Sequence, residues 1–137
     1  KTLSVRMKQH NENAIAVSNY LSNHPKIEKV FFPGNDKRHK EIAEKQMDGF
    51  GGMMSFVIDS DINGVKTFLK NLNLFTLAES LGGVESLIEH PAIMTHASID
   101  PSIREKLGIS ETLLRISVGI EDVDDLISDL DQALSKI

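Results

Sequence analysis

Leu113-Leu114-Arg115-Ile116-Ser117-Val118 sets Leu114, Ile116 and Val118 against Leu113, Arg115 and Ser117, the period of two that a pleated strand imposes on its side chains. The second face of that strand carries a single guanidinium, Arg115. Directly after it, Val123, Leu126, Ile127, Leu130, Ala133, Leu134 and Ile137 recur at helical spacing, while Asp122, Asp124 and Asp125 set negative charge at the positive helix end. A strand feeding an amphipathic helix points to a sheet with helical cover.

Working outward, Met54, Phe56 and Ile58 predict a second strand over Met53–Ile58, entered from the Gly49-Phe50-Gly51-Gly52 break. Ile62, Val65, Leu69 and Leu72 follow at helical spacing, with Asp59, Ser60 and Asp61 available as caps. Val30-Phe31-Phe32, closed by Pro33-Gly34, predicts a short strand, and Asp36 to about Gln46 a solvated surface helix. Leu3, Met7, His10, Ala14, Val17 and Leu21 form the stripe of a long first helix ending near His24-Pro25. That helix is under way with no capping signature, so Lys1 is expected to be a cut edge inside a longer polypeptide. Leu74 to Leu77 reads as another strand, after which periodicity is lost until about residue 99. Irregular stretches of that length are uncommon in compact domains unless they carry function or are disordered, and the apolar content of this one favours order. Asp100-Pro101 then opens a short helix that Gly108 stops. The expected fold is α+β: a small, mostly antiparallel sheet covered by helices.

A length of 137 residues, 40% hydrophobic and 26% charged, suits one soluble domain with one core. The formal charge of −5 is the wrong sign for collecting phosphates, so no nucleic acid partner is expected. No apolar run is long enough for a membrane span, and the chain is expected to be cytoplasmic. Without cysteine there is no disulfide framework, thiolate metal site or cysteine nucleophile.

Residue types alone leave the chemistry open. None of the five histidines sits in HExxH, and Pro91 interrupts helical pairing of His90 with His96, so no metal site is expected. Glu79, Glu85 and Glu89 suggest acid/base work, but sequence spacing does not set a carboxyl separation. Gly49, Gly51 and Gly52 lead into a strand, the reverse of a dinucleotide fingerprint, and Gly82-Gly83 lacks the lysine of a P-loop. Both clusters read as turns.

The stretch Leu77-Ala78-Glu79-Ser80-Leu81-Gly82-Gly83-Val84-Glu85-Ser86-Leu87-Ile88-Glu89-His90-Pro91-Ala92-Ile93-Met94-Thr95-His96 is more specific. It closely resembles the C-terminal signature of the pyridoxal-phosphate enzymes of cysteine and methionine metabolism, the cystathionine γ-lyase and γ-synthase family. The resemblance extends to Lys1-Thr2-Leu3, Pro33-Gly34, Gly51 to Phe56 and Gly108 to Glu121, and so spans the chain. It implies that residues 1–137 are the C-terminal, substrate-side domain of a fold-type I enzyme. The pyridoxal 5′-phosphate domain, with its Schiff-base lysine, would then lie in polypeptide preceding Lys1. No residue here is expected to be catalytic or to bind cofactor, and the fragment alone is expected to be inactive. The full-length protein would be a cytoplasmic homotetramer acting on a sulfur amino acid, cleaving cystathionine to cysteine, 2-oxobutyrate and ammonia, or making cystathionine by γ-replacement.

Carried across by position, Arg115 resembles the arginine that grips the substrate α-carboxylate, a role suited to a planar fork on a rigid strand. A structural salt bridge is the competing reading of the same residue. Ser80 matches the position whose backbone amide helps hold that carboxylate, Leu81 flanks the substrate entrance, and Glu79 resembles the acidic position near the distal substrate amine. Thr95 and His96 belong to the same signature in a supporting role. Two other classes stay in view: a non-enzymatic amino-acid-binding regulatory module, which would bind its ligand tightly without cofactor, and an assembly domain whose apolar stripes serve subunit contacts.

Overall fold

The computed structural model describes residues 1–137, except the side chain of Arg38. Ten elements follow one another: α1 (Leu3–Ser22), β1 (Ile27–Phe31), α2 (Lys37–Gln46), β2 (Met53–Ile58), α3 (Ile62–Lys70), β3 (Thr76–Leu77), β4 (Leu87–Glu89), α4 (Pro101–Lys106), β5 (Leu113–Ser117) and α5 (Val123–Leu134). The five strands form one sheet in the order β1-β2-β5-β4-β3. Every pairing is antiparallel except β3 with β4. The expected α+β class, a small and mostly antiparallel sheet under helices, is what the chain forms.

Alternation along the strands makes the sheet two-faced. Met54, Phe56 and Ile58 of β2, Ile88 of β4, and Leu114 and Ile116 of β5 join one core with Ala14, Val17 and Leu21 of α1, Val65 and Phe68 of α3, and Leu126, Leu130 and Leu134 of α5. Fully burying each large side chain contributes roughly 1.5–3 kcal/mol, so this face carries most of the cohesion. The opposite face presents Ser55, Glu89 and Arg115 in one cross-strand row.

Short-range chemistry ends the helices as their sequences require. Asp61 Oδ1 accepts from the amides of Asn63 and Gly64, and Asp100 Oδ1 from Ser102, so the first unpaired N–H groups of α3 and α4 are satisfied. Asp36 caps α2 at the His39 amide. The α1 stripe is displaced from its expected start. Leu3 and Met7 are 62% and 43% exposed, and burial begins at His10, because the first two turns meet only the end of the sheet, where Met7 lies beside Met53 and Ser117. The long irregular stretch also contains a strand, β4, all three residues of which are buried. A strand of three residues shows no alternation to read.

Candidate functional site

Arg115 stands at the middle of β5, flanked in register by Ser55 of β2 and Glu89 of β4. Its Nη2 donates to Glu89 Oε1 at 2.8 Å, with the arginine side chain 31% exposed and the glutamate 3%. Glu89 Oε1 also accepts from the Thr95 hydroxyl at 3.3 Å, and that hydroxyl lies 2.8 Å from His96 Nδ1. Glu89 Oε2 is buried with no hydrogen-bond partner among the described residues. The fork is therefore held at one point and keeps its remaining donors turned toward the open side of the sheet.

The segment carrying Glu79, Ser80 and Leu81 runs along the same face. Gly82, at φ +78, makes a turn that a side chain would strain, and its amide donates to Ser117 Oγ at 2.8 Å. This ties the loop to β5 two residues beyond Arg115. Leu81, Met7, Met53 and Ser117 line a small cleft of about 90 Å³ there. Glu79 and Ser80 are exposed, and no hydrogen bond or ion pair joins either to Arg115 among the described residues. The loop brings Leu81 beside β5 and leaves the Ser80 amide without a partner among the described residues.

The chain after β5 is fixed from three directions. His10 Nδ1 donates to Val118 O at 2.7 Å, and Asn13 Nδ2 to the carbonyls of Gly119 and Glu121. Ser86 Oγ accepts from the Gly119 amide and donates to Glu121 Oε2. A Cβ at Gly119 would lie 2.4 Å from Val84 O, so only glycine permits this approach. These buried polar contacts hold the end of β5 rigid, a condition for precise ligand contact.

Below the site, His90 is fully buried and donates from Nε2 to Glu111 O at 2.8 Å. Burial holds its pKa below the ordinary value, outweighing the nearby Glu111. Arg104 of α4 donates to Ala92 O and Ile99 O, closing the turns that carry Thr95 and His96. Glu85 lies against Gly83, and Glu79, Glu85 and Glu89 do not gather into an acid/base pair. Among the described residues, no cluster of three or more His, Cys, Asp or Glu could hold a metal ion. No described helix is long and apolar enough to cross a membrane.

A model of the Cys/Met metabolism PLP-dependent enzyme family matches residues 1–135. The chain belongs to this family. Cystathionine γ-lyase of Dictyostelium discoideum is 55% identical over 138 residues, covering 99% of this chain and 35% of that protein. Cystathionine γ-synthase of Xanthomonas oryzae pv. oryzae, solved with cystathionine, superposes at TM-score 0.93 with 47% identity, over 98% of this chain and 35% of that one. Cystathionine γ-lyase of Lactobacillus plantarum, solved with L-serine, gives TM-score 0.93 and 46% identity, over 99% and 36%. The chain thus spans about a third of the length of these Cys/Met metabolism enzymes.

The pyridoxal phosphate on which the family depends needs a lysine amine for its aldehyde and a cradle for its phosphate. The residues present do not fit it. No lysine occurs between Asn71 and Glu105 or on β2 or β5, and Lys26 is engaged away from this face, donating to Leu134 O.

Proposed function

We propose that this chain is the substrate-side domain of a PLP-dependent enzyme that cleaves cystathionine and water to cysteine, 2-oxobutyrate and ammonia. The observation that supports the reading is Arg115: a half-exposed guanidinium on a rigid central strand, held at one point by Glu89 and open at the rest of its fork. A carboxylate docks on such a fork through two parallel N–H···O bonds, which fixes direction as well as position. With the carboxylate fixed, the bond to be broken at Cα keeps one orientation relative to the reacting group. The unpartnered Ser80 amide offers the carboxylate a second donor. Leu81 keeps water from the entrance, and Glu79 complements the distal ammonium of a long diamino substrate. Anchoring of the cofactor and proton transfer at Cα fall to polypeptide outside these residues.

The test is product analysis with the full-length protein. Release of 2-oxobutyrate from cystathionine, without consumption of added cysteine, is expected. Absence of both 2-oxobutyrate and cysteine from an enzyme that has bound its cofactor would overturn the lyase reading. A second reading, γ-replacement, has the support of a superposition with the γ-synthase as close as that with the γ-lyase, and predicts cystathionine accumulation from cysteine and an activated homoserine. The full-length protein is further read as a cytoplasmic homotetramer, which gel filtration and fractionation address directly.

A further inference from the structure

We propose that Glu89 is a positioning residue for Arg115, aiming the guanidinium at the ligand carboxylate without capping it. The inference rests on reading Arg115 as the carboxylate clamp. A glutamate serving only as a structural ion-pair partner would engage both oxygens, since two-point contact with arginine is the stronger geometry. Here the pairing is one-point. Nη2 meets Oε1 at 2.8 Å, and Oε2 is buried with no partner among the described residues, although a buried bare oxygen is costly. The unequal burial points the same way, with the carboxylate at 3% and the fork at 31%, so the anchor sits beneath and the donors face outward. Thr95 closes the arrangement, its hydroxyl on the same Oε1 that receives Nη2. Arg115 then meets its ligand already oriented, and less side-chain freedom is lost on binding.

Two substitutions in the full-length holoenzyme separate reach from charge. Glu89→Gln keeps an acceptor oxygen at the same reach, whereas Glu89→Asp keeps the charge but draws it back by one methylene. Each is titrated calorimetrically with L-serine and with 2-aminoethanol, the same molecule lacking the carboxylate, alongside Arg115→Ala. The expected result is that Glu89→Asp weakens L-serine by about fivefold to tenfold, Glu89→Gln stays within about threefold of the parent, and 2-aminoethanol binds all forms alike. Equal weakening of both ligands would mean general damage and would overturn the inference. Where 2-aminoethanol binds too weakly to titrate, the recovery in the Gln variant decides, and equal loss in both variants overturns it. If the Asp variant does not fold, a folded Gln variant more than about tenfold weaker for L-serine overturns it, and one within threefold supports it. The parent reading fails separately: normal L-serine binding by Arg115→Ala removes the clamp itself, while loss in Arg115→Ala beside normal binding in Glu89→Asp removes only the role of Glu89.

Discussion

Arg115 gives one N–H to Glu89 and has four more to offer, which makes it the residue whose loss is most selective. Charged hydrogen bonds contribute about 1.5–3 kcal/mol, so Arg115→Ala in the full-length enzyme should lower kcat/KM for cystathionine by at least about tenfold. Steady-state kinetics checks this, and unchanged efficiency would reject the clamp. His90 makes a different demand. Its folded pKa lies below the ordinary 6.5 because burial opposes the charged form, so the unfolded chain takes up the proton more readily. Stability is full above about pH 6.5 and is lost as pH falls below it; His24, also lowered chiefly by burial, acts in the same sense. A thermal melt at pH 7.5 and again at 5.5 should show a lower Tm at the acid value, with a smaller difference in His90→Gln. A Tm that rises on acidification would contradict the burial of a neutral imidazole. The fork on β5 was legible from alternation alone, since only Arg115 breaks that face with charge. Its partner was not: Glu89 lies 26 positions away in sequence, and only strand register makes the two neighbours.

Elements show the same division. Strand β2 and helix α5 announce themselves by period because each buries one face more than the other, whereas β5 does so by residue type, its alternation broken by Arg115 although its other four residues are buried. β4 does not, since three consecutive buried residues carry no alternation, and its place beside β5 follows from pairing. Met7 misleads for a related reason: helical spacing reports which side of α1 it occupies and not how fully the sheet covers it. The join between α5 and the segment after α3 rests on Asp129, whose carboxylate accepts from the amides of Asn73, Leu74 and Phe75. Burial raises its pKa, but these bonds and Gln132 outweigh that and hold it below the ordinary carboxylate value. Asp129→Ala strands three donors and should cost about 2–3 kcal/mol in urea denaturation. Because the native pKa is the lower one, the parent keeps this contribution above about pH 4 and loses it as acid protonates the carboxylate. The stability gap between parent and variant should therefore narrow on acidification below pH 4, and a constant gap would argue against the ionised bond set.

Across the whole molecule the sheet separates cohesion from recognition. Neighbouring residues of β5 face opposite ways, so Ile116 belongs to the core and Arg115 to the open side. Ile116→Val should cost about 0.5–1.5 kcal/mol of stability, with L-serine affinity of the full-length protein unchanged. Paired denaturation and binding measurements check this, and loss of affinity would show that the two faces are coupled. The same reach across the molecule has a temporal consequence. His10 and Asn13 satisfy their buried polar groups on the backbone of Val118, Gly119 and Glu121, more than a hundred positions further on. During synthesis the first helix can pack on β1 and β2 early, but His10 and Asn13 wait for these acceptors until Glu121 has cleared the ribosomal exit tunnel. A nascent chain halted earlier would carry that polar stripe unsatisfied, and a chaperone would meet it in that state.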